Sequence, residues 1–504
     1  MSADDVPPIT RRSAIGLTGA ALALPVASLQ GHRSEPQMRA AIAASNRRAL
    51  ACAQARAALL EEPGREGLFV WEAADHSVLV GADPMQGVAV PAAGDTSGAS
   101  GAWVRQPSGA FNIKSYGARC DAAADGSKGS DDTAAVQAAI NAASALGGGT
   151  ILIPAHSKCA GQINLDYKHN IVLQGLGGGG AGYRSPPPSQ LIYTGTGSAP
   201  FVSCAHTNGI AIRDLGIRYT SASYTGDVVA FTNLTSPRTQ DAAYGLVERS
   251  LIGGINADGA GPYTARSCIS LEGAILCSVI GNHLQWASAG IRGQKEISVR
   301  NVLYSNAILI SRNTFDNLTT AGILNPGVGW TVIGNWFEGT DGGTGGMPYA
   351  LYSDISAASG AGFGGVIWDG NWHGDASNVH DAWINPNHLF IRGIHIAGNA
   401  FSTLDAARIP AMKFPTTVQG ASIAGNVLTY IDFASADHYG ISVTGNFWDN
   451  DVANISAGTT DLWIVGNKKD SAFAKSYIRI ADPQDIQLGN VFSSTQQRSH
   501  HSPR

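Results

Sequence analysis

The chain has 504 residues, 44% hydrophobic and 14% charged, with 62 glycines and a net charge of −5. That hydrophobic share excludes wholesale disorder, and so mild a negative balance argues against a nucleic-acid partner. Abundant glycine with few long charged side chains points to many short strands and tight turns rather than long surface helices.

In chain order, Arg11 and Arg12 precede an apolar, Ala- and Leu-rich run with small residues near Ala27. The run is shorter than the ~20 residues a membrane helix needs. Residues 1–30 therefore read as a twin-arginine-type export signal, which predicts a periplasmic or secreted protein with no membrane span in the mature chain. Residues 31–66 include "PQMRAAIAASNRRALACAQARAALLEE", strong helix formers that stop before Pro63 and Gly64. Residues 67–108 alternate apolar and polar between turns and predict a small β-rich connector. Six cysteines, at 52, 120, 159, 204, 268 and 277, have no CxxC spacing, so no zinc site is expected. Export would permit disulfides, whose pairing stays open.

At Phe111 the character changes. "FNIKSYGARCDAAADGSKGSDDTAAVQAAINAASALGGGTILIPA" holds a turn, a helix and a strand. Asp131 and Asp132 stand at the helix start, where carboxylates satisfy free N–H groups and complement the dipole. Val136, Ile140 and Ala143 give the helix one apolar face, and Gly147 to Gly149 stop it. Such a helix suits a lid over the open end of a stacked core. Through Phe111, Tyr116, Gly117, Ala118, Asp131, Asp132, Thr133, Ala138, Ile140, Gly148, Gly149 and Pro154, this segment resembles the opening module of the pectate-lyase-like superfamily. The resemblance implies an all-β fold, a right-handed single-stranded parallel β-helix over 109–495 with an N-terminal capping helix. A disordered tail is expected at 496–504. The family includes polygalacturonase-like enzymes and phage tailspike depolymerases. The Asn-Thr-Asp, Gly-His-Gly and Arg-Ile-Lys motifs of polygalacturonases are missing from these coils, so no catalytic residue is carried across.

"TVIGNWFEG" (331–339) shows the repeat. An Asn follows a short strand at Asn282, Asn313, Asn335, Asn371, Asn399, Asn426, Asn446, Asn467 and Asn490, spaced 20 to 36 residues apart. Most intervals match one solenoid coil. Coils stack ~4.8 Å apart, so Asn side chains at one corner can form a hydrogen-bonded amide ladder. Two places after Asn the residue is usually apolar (Leu284, Phe315, Phe337, Phe401, Leu428, Trp448) and should face the core. His373 breaks that pattern. "NIVLQGLG", "GIAIRDLGI" and "YGLVERSLI" read as earlier coils without Asn.

Three places after Asn stand Gln285, Asp316, Glu338, Gly374, Ser402, Thr429 and Asp449, a column on one face. Asp316 and Glu338 would be neighbours on adjacent coils, ~5 Å apart. Paired carboxylates suit acid-assisted glycosidic cleavage, one protonating the leaving oxygen and one acting as nucleophile or base. Asp341 and Asp375 are diagonal partners at longer range, and His373 is a further catalytic candidate. Trp336, Trp372 and Trp383 offer apolar platforms for sugar rings. An elimination reading instead draws on Arg292, Lys295, Arg300 and Arg312 to neutralise a uronate, with no cofactor required and Ca²⁺ as an optional bridge across Asp316, Glu338 and Asp341. The sequence thus predicts a protein whose partner is a polysaccharide, monomeric or homotrimeric, cleaving by hydrolysis or β-elimination. A non-catalytic tailspike-like binder and a uronan C5-epimerase remain alternatives. Replacing Arg11 and Arg12 with lysine should abolish recovery of the protein from the periplasm, as read by fractionation and immunoblot.

Overall fold

The computed structural model describes residues 27–29 and 57–491, apart from 93, 107–108, 178–185, 233–241, 256–261, 299–300, 304, 339–346, 354, 356–361, 375–381, 388–389, 402–409, 429–430, 434–437, 449–453, 456–459, 470–478 and 481–485. Short apolar runs between tight corners form strands, and each strand pairs in parallel with its equivalent one coil away. Such pairing requires a full circuit of chain between partners, which takes the right-handed sense. The result is a right-handed parallel β-helix of three faces.

The first face begins at Gly149–Leu152 and climbs through Ile171–Gln174, Ala211–Arg213, Leu246–Glu248, Ser278–Ile280, Leu309–Ser311 and Thr331–Ile333. Register carries straight upward, Ala211 on Leu246, Leu246 on Ser278, Ser278 on Leu309 and Leu309 on Thr331. The three earlier runs without Asn are coils of this same face. The second face passes through Gln190–Tyr193, Gly216–Tyr219 and Leu251–Gly254 to the strands that start at His283, Thr314, Trp336 and Trp372. The third holds Asp227–Ala230, Ser267–Ser270 and the far halves of His283–Arg292 and Thr314–Leu324.

Alternation sends every second side chain inward. On the second face Leu191, Ile217, Ile252, Leu284, Phe315 and Phe337 stack as one fully buried column. The rings of Phe315 and Phe337 lie 4.6 Å apart and nearly parallel.

Between the first and second faces runs the Asn ladder. Asn282, Asn313, Asn335, Asn371, Asn399, Asn426 and Asn446 are all buried. Each side-chain oxygen from Asn313 upward accepts both the backbone N–H and the amide Nδ2 of the Asn one coil below, at 2.8–3.1 Å. Each Nδ2 also donates to a first-face carbonyl of the coil below, such as Val332 O for Asn371. The preceding residue must turn left-handed, so Gly334, Gly370 and Gly398 sit there, while Arg312 takes the same conformation at φ 55°. The side chains of Asn467 and Asn490 lie outside the described residues.

The capping helix is Thr133–Ala145, and its buried Val136, Ala139, Ile140 and Ala143 join the main core. One detail differs from the capping expectation. Asp132 makes no side-chain cap bond; its carboxylate instead accepts from the backbone N–H groups of Arg119 and Cys120, at 2.8 and 3.0 Å. It pins the preceding loop. Asp131 accepts from Thr133 N and from Ala160 N, both at 3.0 Å, tying the helix start to the first coil.

The helix expected to continue to Glu62 does not. Ala57–Leu60 is a strand, paired antiparallel with Gly67–Glu72, because sheet partners outweigh local propensity; residues 31–56 lie outside the described residues. The connector's Leu79 and Ala89 are part of the main core cluster. Arg105 and Arg65 donate to carbonyl oxygens of Gly87, Glu66, Met85 and Ser115, and the buried Asp83 accepts from Gly87, Val88 and Ala89. Gly87 packs so closely on Tyr116 that a Cβ would come within 2.5 Å of its ring. The connector therefore plugs the capped end.

Among the described residues no helix is long and apolar enough to cross a membrane, and Cys120, Cys159, Cys204, Cys268 and Cys277 are free thiols. Asn399→Ala would leave the N–H and Nδ2 of Asn371 without their acceptor in the interior. A loss of about 3 kcal/mol is expected from such unmet bonds, measurable by urea unfolding.

Candidate active site

Outward-facing residues of the second face line up as strictly as the core does. Arg218 pairs with Gly253, Gly253 with Gln285, and Gln285 with Asp316. Phe315 pairs with Phe337, so Asp316 and Glu338, each the next residue, occupy adjacent rungs; Glu338 then pairs with Gly374. The two carboxylates share one column and one flank.

Access changes along that column. Residues Pro262–Ala265 lead into the third face and are tied to the core: Tyr219 Oη accepts from Ala265 N at 3.0 Å and donates to Trp286 O at 2.9 Å. Low on the column, Arg218 is fully enclosed, its guanidinium donating to the carbonyls of Gly253 and Gly254 and lying over the Trp286 ring. Burial brings its pKa down to about 9. Gln285 is also enclosed. Asp316, one rung above Gln285, has 9% of its side chain exposed. Its Oδ1 accepts from Asn317 Nδ2 at 2.7 Å, and its Oδ2 lies 3.6 Å from His283 Nε2. Tyr263 stands close enough for burial, then the Asp316 charge, to raise its phenol above the ordinary value.

One rung further the surface opens. Trp336 is 44% exposed, and its ring meets that of Trp372 at 3.7 Å. Trp336 Nε1 donates to Glu338 Oε2 at 3.2 Å. The Trp372 ring lies over Gly374, where a Cβ would be 1.5 Å from the indole. A glycine at that rung is what lets the ring lie flat beside Glu338.

Other candidates sit elsewhere. His373 belongs to the core rather than the column, as its place two residues after Asn371 requires. It is stacked on Phe337 and Phe401 and wholly buried, with Nδ1 donating to Ala400 O at 3.1 Å. A proton-transfer role is excluded by that enclosure. Trp383 packs against His373 with 2% exposure and offers no face to a ligand. Arg292 is at the far end of its long strand on the third face, where Nε pairs with Glu272 at 3.3 Å; Glu272 in turn pairs with Arg266, which also binds Asp227. It does not reach the column. Lys295 begins a hairpin with Asn301–Leu303, and its side chain is outside the described residues, as are Arg300, Asp341 and Asp375. Arg312 occupies the corner before Asn313. Among the described residues no three of His, Cys, Asp and Glu converge to hold a metal ion. The sequence reading passed over His283 and Tyr263. His283 directly follows a ladder Asn, as Trp336 and Trp372 do, and that shared place was its available signal.

No protein family matches the chain, and no curated protein resembles it in sequence. Solved structures do resemble it in shape. Tailspike protein 2 of an Escherichia coli O157:H7 bacteriophage is 12% identical with a TM-score of 0.42, covering 82% of this chain and 48% of its own. The chain thus spans about half that tailspike's length. The A-module of a mannuronan C-5 epimerase from Azotobacter vinelandii is 15% identical, TM-score 0.44, over 76% of this chain and 100% of the module. A tailspike of Acinetobacter baumannii bacteriophage Fri1, a capsular polysaccharide depolymerase, is 12% identical, TM-score 0.42, over 88% and 74%. These neighbours are parallel β-helix proteins of the pectate-lyase-like superfamily. At such distances they assign neither activity nor residues, and the architecture rests on this chain's own register.

Burial pushes the His373 pKa down to about 3. The unfolded chain, with a value near ~6.5, therefore takes up a proton that the fold refuses. Stability from this group is full above ~6.5 and falls by about 1.4 kcal/mol per pH unit as acidity rises toward 3. His373→Phe should keep the stack and flatten that slope, seen in urea midpoints compared at pH 7 and pH 4.5.

Proposed function

We propose that the protein binds a polysaccharide along its second face and hydrolyses its glycosidic bonds, with Asp316 and Glu338 as the working pair. The observation that carries this reading is their adjacency on one column beside the exposed Trp336–Trp372 stack. Indole faces take the apolar face of a pyranose ring, which seats a sugar over Glu338. Asn317 orients the Asp316 carboxylate and His283 faces it at 3.6 Å, which suits it to act as nucleophile or base. Glu338, on the open side, then protonates the leaving oxygen. One rung is ~4.8 Å, and carboxylates about 5 Å apart support a retaining course.

Elimination from a uronan, or its C5 epimerisation, needs a cation beside the sugar carboxylate. Arg292 is engaged by Glu272 on another face, and Arg218 is enclosed and turned onto carbonyls. Both facts favour hydrolysis. A non-catalytic binder is the second reading, favoured by the hydrogen bond that ties Glu338 to Trp336. A polysaccharide outside the cytoplasm fits the address that Arg11 and Arg12 would supply.

The test is release of reducing ends from neutral and acidic polysaccharides, with absorbance of a new unsaturated bond followed in parallel. Glu338→Gln keeps an acceptor for Trp336 and should lower turnover at least about a hundredfold while binding survives. Unsaturated products, or full activity in Glu338→Gln, would remove the hydrolytic pair. Binding without turnover in the wild type would leave the binder.

A further inference from the structure

Gln285 is a buried polar side chain that packing leaves unexplained. It is fully enclosed, and neither Oε1 nor Nε2 has a hydrogen-bond partner. A buried polar group left unpaired is costly, and a leucine of similar size would avoid that cost. Pairing with Gly253 below and Asp316 above fixes its place on the column. In the same strand His283 Nε2 is buried without a hydrogen bond, facing Asp316 at 3.6 Å. Three unmet polar atoms thus adjoin a carboxylate that keeps a small opening to solvent.

We infer that Gln285 is a substrate-positioning residue that reads a hydroxyl of a neutral pyranose unit held at Asp316, an inference resting on the polysaccharide reading above. An amide both donates and accepts, as does a sugar hydroxyl, so the two satisfy each other while Asp316 accepts from the neighbouring hydroxyl. A hydroxyl bound to Asp316 stands about one rung, ~4.8 Å, from Gln285, within reach of a change in its side-chain torsions. A uronate carboxylate would meet the Asp316 carboxylate as a like charge. Arg218, the cation of this column, is directed at the carbonyls of Gly253 and Gly254. The chemistry beside Asp316 therefore selects hydroxyls over carboxylates.

The experiment compares wild type, Gln285→Leu and Trp336→Ala by titration calorimetry against soluble oligosaccharides of α-1,3-glucan (neutral) and of polymannuronate (acidic), with thermal melts of each. Wild type should prefer the neutral probe. Gln285→Leu should bind it about tenfold or more weakly, with a melting temperature unchanged or raised. A lowered melting temperature would show that the amide has structural partners and would overturn the inference. So would unchanged affinity in Gln285→Leu where Trp336→Ala abolishes binding, which would leave the polysaccharide reading standing alone. A preference for polymannuronate overturns the choice of neutral sugar. Binding of neither probe by wild type removes the polysaccharide reading and this inference with it.

Discussion

Vertical hydrogen bonding from one coil to the next is the constraint on which this molecule depends. Backbone pairs supply it along each face, and the Asn side chains supply it at the corner, where the chain must turn and would otherwise leave buried amides unmet. The consequence is register. Because side chains alternate, a slip of one residue would send Phe315 and Phe337 outward and draw Asp316 and Glu338 into the core. A ladder that accepts two hydrogen bonds per rung penalises that slip at every coil from Asn282 to Asn446. Residues 22 positions apart in sequence thereby become neighbours with a defined orientation.

The same constraint explains what could be read from sequence. The ladder leaves a period that survives variable loop lengths, and the apolar slot two residues later marks the core. Earlier coils lack Asn yet remain visible, because Ile171–Gln174, Ala211–Arg213 and Leu246–Glu248 keep the inward alternation. Ala57–Leu60 was not legible as strand, since its residues favour helix and its partner Gly67–Glu72 lies beyond a turn. Asp132 shows a similar limit: its position says helix cap, but whether a carboxylate turns to its own helix or to the loop at Arg119 depends on tertiary path.

In the site, slot proved a better guide than residue type. His373 invites a chemical reading because it is histidine, yet its place after Asn371 puts it in the aromatic stack, where burial keeps it neutral. Trp383 falls outside the repeat, so no slot indicated its enclosure. Trp336 and Trp372, by contrast, occupy the outward position after Asn, and the structure brings their rings together. Gln285 was readable as a member of the column but not as an unsatisfied amide. Lack of a partner is a property of surroundings, and no spacing encodes it.

What locates the candidate centre is the change of environment along one line of residues. Below, Arg218 and Gln285 are enclosed; above, Trp336 is widely exposed, and Gly374 has no side chain, so that the Trp372 ring lies over it. Asp316 stands at the boundary, with 6% of the residue accessible. Reaction chemistry favours such a boundary, because a carboxylate must meet substrate from one side while low-dielectric surroundings strengthen its interactions on the other. An acidic pair elsewhere on the cylinder, fully solvated, would lack that asymmetry. The enclosure of Gln285 on one side and the exposure of Trp336 on the other give Asp316 its two unlike sides.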